Sequence, residues 1–238
     1  MKKLVSFLSI LTLLLVIIPL ESNAAGETTT GPYRKVASNA GYSWMSTYVY
    51  LPGGSNIKYG NSTDTAYAYV GGSHGGTEVD AGFQHSPTYD NWSPFVGVNG
   101  SRPESGKTDV RFKSNQEVFM KFYVASDNKV ALQVTGIDTK GVKRTITLEA
   151  DASGWTKSGS GNELKRVTSI AQTGGSTNFQ TGSYIKNVRW FDARIGTSST
   201  NNSAWSGTHT KEFITFQKPY VSVSYVNQSE ETVSINLN

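Results

Sequence analysis

The chain has 238 residues, with 22 basic and 18 acidic side chains and no cysteine. A single all-β domain of this length is ordinary and can bury a core large enough to fold without cross-links. The absence of cysteine excludes a disulfide framework and thiol catalysis. The net charge of +4 is small and the basic residues are dispersed, so the sequence does not predict nucleic-acid binding.

Residues 1–24 have the pattern of an export signal. Two lysines near the start precede an uncharged apolar run over residues 4–20, and small residues follow at Ser22 and Ala24. This order is typical of a bacterial signal peptide that is cleaved after residue 24. A permanent membrane anchor is the weaker alternative, because the run is shorter than the roughly 20 residues that a span needs. We expect a secreted, extracellular protein with no membrane attachment after cleavage, in which residues 25–238 form one domain.

Alternation of apolar and polar residues continues through most of the remaining chain. It is clear over residues 44–51, 78–84 and 117–150, and the last of these predicts a three-stranded meander. Further strands are predicted at residues 66–70, 95–98, 110–113, 165–170, 184–195, 213–216, 220–226 and 232–237. The polar stretch 196–210 is predicted to be a long surface loop or a flap. No segment has a convincing helical period, so we predict an all-β, antiparallel two-sheet sandwich or jelly roll.

Polar and aromatic residues occupy the positions that alternate with the predicted core. If the strands that carry them lie in one sheet, these residues line a single trough suited to a sugar. Rings stack on the apolar faces of pyranoses, while carboxylates and amides bind the hydroxyl groups. The residues that would line the trough are Glu78, Asp80, Gln84, Lys121, Tyr123, Gln133, Trp190, Asp192 and Arg194. The alternative is that these positions simply face water.

Glu78 and Asp80 lie on one face of a predicted strand, about 6.5–7 Å apart, because a strand rises about 3.3 Å per residue. A catalytic role is compatible with this spacing, since glycosidase carboxyl groups are about 5 to 9.5 Å apart. Some sandwich glycosidases carry Glu-x-Asp-x-x-Glu on a strand. Here Phe83 occupies the last position, and a phenyl ring cannot donate a proton.

Two other roles for these carboxylates remain. Calcium takes six to eight oxygen ligands, and the pair supplies too few even with Asp90, so we predict neither a metal nor another cofactor. The favoured role is an ion pair with a base on a neighbouring strand, which would relieve the repulsion between the two charges. The candidate bases are Lys121, Arg111 and Arg194.

One stretch resembles a known group of proteins. Residues 76–86 carry Gly-Thr-Glu-x-Asp-x-Gly-hydrophobic-Gln, and Tyr89, Trp92 and Pro94 complete a Tyr-x-x-Trp-x-Pro pattern. The combination resembles the YrpD/YncM group of small secreted proteins of bacilli, over most of the mature chain. The resemblance implies an exported, single-domain, concanavalin-like sandwich and carries over no established activity. The site candidates that it implies are Glu78, Asp80, Gln84, Tyr89 and Trp92.

Three functions remain open on this sequence. The first is a secreted protein that binds a carbohydrate or cell-wall polymer on a concave sheet face. The second is a secreted glycan hydrolase or lyase that uses Glu78 and Asp80. The third is an interaction protein of the envelope, spore or biofilm. We expect the first, with a polysaccharide partner and a monomeric protein.

Overall fold

A computed structural model of the protein describes residues 31–172 and 179–238. These residues form sixteen β-strands and four short 3-10 helices. The strands are β1 (Tyr33–Ala40), β2 (Trp44–Leu51), β3 (Ile57–Lys58), β4 (Asp64–His74), β5 (Thr77–His85), β6 (Asn91–Val98), β7 (Phe112–Lys113), β8 (Gln116–Ser126), β9 (Lys129–Ile137), β10 (Lys143–Asp151), β11 (Glu163–Gln172), β12 (Tyr184–Gly196), β13 (Asn202–Ala204), β14 (Thr210–Phe216), β15 (Val221–Asn227) and β16 (Glu230–Asn236). The 3-10 helices are Gly54–Asn56, Glu104–Gly106, Gly207–His209 and Lys218–Tyr220.

The signal peptide predicted at residues 1–24 lies outside the described residues. Within the described ranges, no helix has the length and hydropathy that crossing a membrane requires.

The strands form two sheets. The first sheet has seven strands in the order β14-β1-β11-β4-β5-β6-β7. The second sheet has nine, of which seven follow the order β10-β9-β8-β2-β12-β16-β15 while β3 and β13 both pair with β12. Every pairing between these strands is antiparallel. The predicted all-β, antiparallel two-sheet sandwich is confirmed, and the meander of β8, β9 and β10 is present as expected.

The core fills the space between the sheets and follows the predicted alternation. In β5 the inward residues Val79, Ala81 and Phe83 are fully buried, and in β8 Met120 and Phe122 are as well. Each large side chain buried in this way contributes roughly 1.5–3 kcal/mol to folding. The inward phase therefore fixes which residues of the same strands face outward, and this determines where a site can lie.

A buried ion cluster connects the two sheets at one corner of the sandwich. Glu231 of β16 lies 2.9 Å from Arg34 Nη2 of β1 and 3.0 Å from Arg166 Nη1 of β11. Burial lowers the pKa of Arg166 to about 10, although Glu231 opposes the shift. Removing one member would leave an uncompensated charge in the interior, so the cluster ties the sheets into one arrangement.

Residues 196–210, predicted to be a long surface loop or a mobile flap, do lie largely at the surface, but the stretch is not a loop throughout. Strand β13 lies inside this stretch and pairs with β12. Trp205 is 2% exposed, and its Nε1 donates a hydrogen bond to Thr210 Oγ1 at 3.0 Å. The polar composition of the stretch gave no indication that Trp205 would pack in the hydrophobic core.

Candidate functional site

The residues predicted to line one trough divide between the two sheets. Glu78, Asp80 and Gln84 lie in β5 of the first sheet, whereas Lys121 and Tyr123 lie in β8 of the second. Because the sheets pack face to face across the core, their outward residues point in opposite directions. The prediction of a single shared trough is therefore wrong. Alternation along a strand identifies an outward face, and it does not identify the sheet.

A β-bulge in β12 changes the orientation of three further candidates. Between Phe191 and Arg194 the register with β2 shifts, and Asp192 has a φ of 48°. Trp190 points into the core, is 1% exposed and donates from Nε1 to Thr168 Oγ1 at 2.8 Å. The prediction that Trp190, Asp192 and Arg194 share one face is wrong, because the extra residue of the bulge breaks the alternation.

The other second-sheet candidates lie on its outward face and interact locally. Lys121 Nζ lies 5.0 Å from the centre of the Tyr123 ring. Gln133 Nε2 donates to Thr147 Oγ1 at 3.3 Å. Burial raises the pKa of Tyr123, and Glu149 adds to the shift. Lys121 and Tyr123 are neighbours along β8, and Gln133 and Thr147 are paired on adjacent strands, so these contacts are local to a solvated surface.

Tyr89 lies on neither sheet. It is 68% exposed and belongs to the loop between β5 and β6, beside a small pocket of about 320 Å³. Behind it, His85 lies with Nδ1 3.0 Å from the Tyr59 hydroxyl and Nε2 3.2 Å from Asp90 Oδ1. A carboxylate only accepts hydrogen bonds, so Nε2 donates to Asp90 and Nδ1 accepts from Tyr59.

On the first sheet, a glycine allows a lysine to reach the two carboxylates. Gly71 of β4 pairs with Asp80 of β5 on one side and with Lys165 of β11 on the other. Its φ is 142°, and a Cβ there would lie 2.0 Å from the Val79 carbonyl oxygen. Because Gly71 has no side chain, the lysine chain is free to cross β4 toward β5.

Lys165 contacts both acids. Its Nζ lies 2.7 Å from Asp80 Oδ1 and also bonds to Glu78 Oε1. The Lys165 side chain is 7% exposed, and those of Glu78 and Asp80 are 26% and 31% exposed. Burial opposes the charged amine, but Asp80, with Tyr69 and Glu78, outweighs it, so the pKa of Lys165 is raised well above its usual value. One nearly buried ammonium group therefore compensates two carboxylates.

Three rings and an arginine lie beside this ion pair. The ring centres of Tyr67 and Phe95 are 5.8 Å apart, and those of Tyr67 and Tyr69 are 6.5 Å apart, both at steep angles. The Arg102 guanidinium covers Phe95 with its carbon 4.0 Å from the ring centre. Its Nη1 donates to Gln84 Oε1 at 2.6 Å. Rings, guanidinium and amide thus form one connected surface.

We call this surface the first-sheet face. It consists of Tyr67, Tyr69, Glu78, Asp80, Gln84, Phe95, Arg102 and Lys165. The partly buried rings of Tyr67 and Tyr69 offer apolar contact, whereas Phe95 is 4% exposed beneath Arg102. The carboxylates and the amide accept hydrogen bonds, and the two cations donate them. Across residues 31–172 and 179–238, no group of three or more histidine, aspartate and glutamate side chains is arranged to hold a metal ion.

Sequence reasoning missed five members of this face. The ion pair expected for Glu78 and Asp80 exists, but with Lys165 and not with Lys121, Arg111 or Arg194. Tyr67, Tyr69, Phe95, Arg102 and Lys165 were not among the candidates. Alternation could have found the two tyrosines, because they alternate with the buried Ala66, Ala68 and Val70. Nothing in the sequence indicated that β11 pairs with β4.

Comparison with known proteins supports the resemblance and the fold. No protein-family model matches the chain. The chain is 27% identical to the uncharacterized protein YrpD of Bacillus subtilis over 168 residues. This match covers 67% of this chain and 68% of YrpD. A scytalido-glutamic peptidase solved with a peptide-based transition state analog has a TM-score of 0.58, at 11% identity, covering 87% of this chain and 99% of the peptidase.

A second solved structure has the same fold. SCP-B, described as a member of the eqolisin family of peptidases in complex with the tripeptide Ala-Ile-His, has a TM-score of 0.56 at 11% identity, with the same coverage of 87% and 99%. At this identity the likeness to both peptidases shows a shared sandwich fold and nothing finer. The protein is thus an antiparallel β-sandwich similar to YrpD of Bacillus subtilis, and the resemblance found in the sequence is confirmed.

Proposed function

We propose that the protein is secreted and binds a carbohydrate or cell-wall polymer on the first-sheet face. The observation that carries the proposal is the direct connection of rings to polar groups there. Arg102 covers Phe95 and bonds to Gln84, while Lys165 joins Asp80 to the same surface. Sites for sugars combine flat apolar contact with a few fixed polar groups, and this surface supplies both.

The polar groups on this face are held in place before a ligand arrives. Lys165 is nearly buried between its two acids, and Gln84 is held by Arg102. A surface that is already ordered loses little side-chain entropy on binding, which favours affinity. An open sheet face contacts several units of a chain in succession, so a polymer suits it better than a single sugar.

A hydrolase or lyase that uses Glu78 and Asp80 is the alternative of a different class. General acid–base catalysis needs one carboxyl group free to give up a proton to the reacting bond. Here both acids contact the same Lys165 ammonium, so neither carboxyl group is free of a partner. The two solved structures with this fold are named as peptidases, and their activity is not transferred to this chain at 11% identity.

A pull-down with matched tyrosine variants tests the proposal. Wild-type protein is incubated with peptidoglycan, cellulose, xylan and alginate, beside Tyr69→Ala and Tyr123→Ala. Both tyrosines are partly buried and lie next to a lysine, but they belong to opposite faces. We expect Tyr69→Ala to lose about tenfold or more in polymer affinity, because a stacked ring contributes about 1–2 kcal/mol, and Tyr123→Ala to retain wild-type binding.

Reducing-sugar and unsaturated-product assays on the same samples separate binding from catalysis. Turnover that disappears in Glu78→Gln while binding persists would establish the hydrolase or lyase instead. Absence of binding to every polymer at millimolar concentration would contradict the proposal. It would favour the third possibility, an interaction protein of the envelope, spore or biofilm.

A further inference from the structure

A cleft of about 420 Å³ opens beside the first-sheet face. Phe95 and Arg102 belong both to that face and to the cleft wall. The opposite wall comes from the segment that follows Arg102, which carries Glu104, Lys107, Asp109 and Arg111. A polymer lying on the first-sheet face can therefore extend directly into the cleft.

The arginines of the chain differ in whether a carboxylate compensates their charge. All seven lie in the described ranges, and four contact a carboxylate: Arg34, Arg144, Arg166 and Arg189. Within the same ranges, three have no ion pair with a carboxylate: Arg102, Arg111 and Arg194. Two of these three line the same cleft. Their guanidinium charges are thus available to a ligand.

The contacts of these two arginines orient them without neutralising them. Arg111 Nη1 donates to the carbonyl oxygens of Thr108, at 2.6 Å, and Val110, at 3.2 Å. Arg102 donates to the uncharged amide of Gln84. Amide and carbonyl partners fix the position of a guanidinium group while leaving its charge, and most of its donors, uncompensated.

The remaining charges of the cleft nearly cancel. Lys107 pairs with Glu104 at 2.6 Å on the exposed rim. Asp109 contributes one negative charge and forms no ion pair with a described residue. The lining as a whole carries three cationic and two anionic side chains, so it has a net charge of one positive.

We propose that this cleft is a subsite for an anionic oxygen group, a carboxylate or a phosphate, on the polymer bound at the first-sheet face. The proposal rests on the proposed function and specifies its ligand class. A guanidinium group matches both oxyanions because its planar donors bind two oxygens at once. The two sources with this chemistry are the carboxylates of a uronic-acid polymer and the phosphodiesters of a polyol-phosphate wall polymer.

The test compares Arg111→Gln with Arg194→Gln. Both changes remove one arginine charge that no carboxylate compensates, but Arg194 lies in the second sheet, where its Nε donates to Asn202. The ligands are polygalacturonate, its methyl ester, and poly(glycerol phosphate), measured by calorimetry at low and moderate salt. We expect Arg111→Gln to bind at least one anionic polymer about tenfold more weakly, the loss of one charged hydrogen-bonding group. Binding of the neutral ester should not change.

The two anionic polymers distinguish the sources. A loss confined to polygalacturonate indicates a carboxylate ligand, and a loss confined to poly(glycerol phosphate) indicates a phosphate ligand. Arg111→Lys keeps the charge and loses the planar donors, so it should recover part of the affinity. It also replaces Arg111→Gln if that variant fails to fold.

Other outcomes overturn the subsite. Equal binding of polygalacturonate and its methyl ester, together with unchanged binding of poly(glycerol phosphate) in Arg111→Gln, would contradict the subsite and leave polymer binding on the sheet intact. Equal losses in Arg111→Gln and Arg194→Gln would do the same. A titration with inorganic phosphate and monomeric galacturonate, followed by NMR, separates the two proposals. Arg111-dependent shifts without any polymer binding would retain the subsite and reject the polymer function. No binding of any probe would reject both.

Discussion

The two outward faces of the sandwich have similar composition and different construction. We call the outward surface of the second sheet the second-sheet face: Tyr48, Phe119, Lys121, Tyr123, Gln133 and Phe191. Its rings form a row across adjacent strands. Tyr48 stacks nearly parallel on Phe191, with centres 5.3 Å apart at 16°, and lies 5.2 Å from Phe119. Stacked rings occupy one another's faces and present edges to water.

The first-sheet face differs in what its rings contact. Tyr67 and Tyr69 meet edge to face at 87°, and cations lie over their surfaces and over Phe95. A nearly buried ammonium lies between two carboxylates in the same surface. On the second sheet, Lys121 lies over Tyr123 and Arg189 lies over Phe191. Lys121 forms no ion pair with a described carboxylate, and the ion pair of Arg189 with Glu230 is exposed, in contrast to the nearly buried Lys165. The alternation of apolar and polar residues in the sequence predicts the same kind of outward face on both sheets. Only the pairing of strands shows that the polar groups are organised into a network on the first sheet and are solvated on the second.

The largest expected difference between the faces concerns stability. We expect Lys165→Met to lower the free energy of unfolding by about 2–4 kcal/mol, because it leaves two adjacent carboxylates without their buried partner. Lys121→Met removes a half-exposed cation and should cost within about 0.5 kcal/mol. Urea denaturation of both variants at neutral pH measures the difference. Equal losses would remove the distinction between the faces.

A smaller difference is expected between two aspartates. Asp80→Asn should cost about 1–2 kcal/mol, since it removes one charge from the ion pair with Lys165. Asp192→Asn should leave stability within about 0.5 kcal/mol of wild type, because Asp192 is exposed at a positive φ that asparagine also tolerates. Thermal unfolding of the pair measures both effects. A loss at Asp192 as large as that at Asp80 would show that the bulge, and not the ion pair, governs stability.

The fold was predictable because its signal is local. The inward residues of β5 and β8 have the predicted phase, and the meander from β8 to β10 has the predicted strands. Each of these inferences needs only the alternation along one strand and the turn residues at its ends. The direction of the Glu78 and Asp80 side chains is a consequence of the same local pattern.

The site was not predictable because it depends on which strands become neighbours. Strand β4 lies between β11 and β5. Lys165 of β11 reaches Asp80 of β5 because β4 places Gly71, which has no side chain, between them. Strand order across a sheet is a long-range property that periodicity does not contain. The misplacement of Trp190 has a different cause, since one bulged residue reverses the alternation along β12.

The smallest expected effect is a pH dependence at the end of β5. Burial lowers the pKa of His85, and its hydrogen bond to Asp90 offsets only part of the shift. The unfolded chain therefore binds a proton more readily than the folded chain does. Stability should be unaffected by His85 above about pH 6.5, the ordinary pKa of histidine, and should fall as the pH drops below it toward the lowered folded value.

Protonation of His85 would also disturb its contacts. The neutral ring accepts a hydrogen bond from Tyr59 at Nδ1, and a proton on that nitrogen removes the acceptor. We expect His85→Gln to flatten the stability profile as the pH falls below about 6.5, measured by urea denaturation at each pH. Lys121→Met retains His85 and should keep the wild-type slope. If both variants keep that slope, the acid sensitivity arises outside His85.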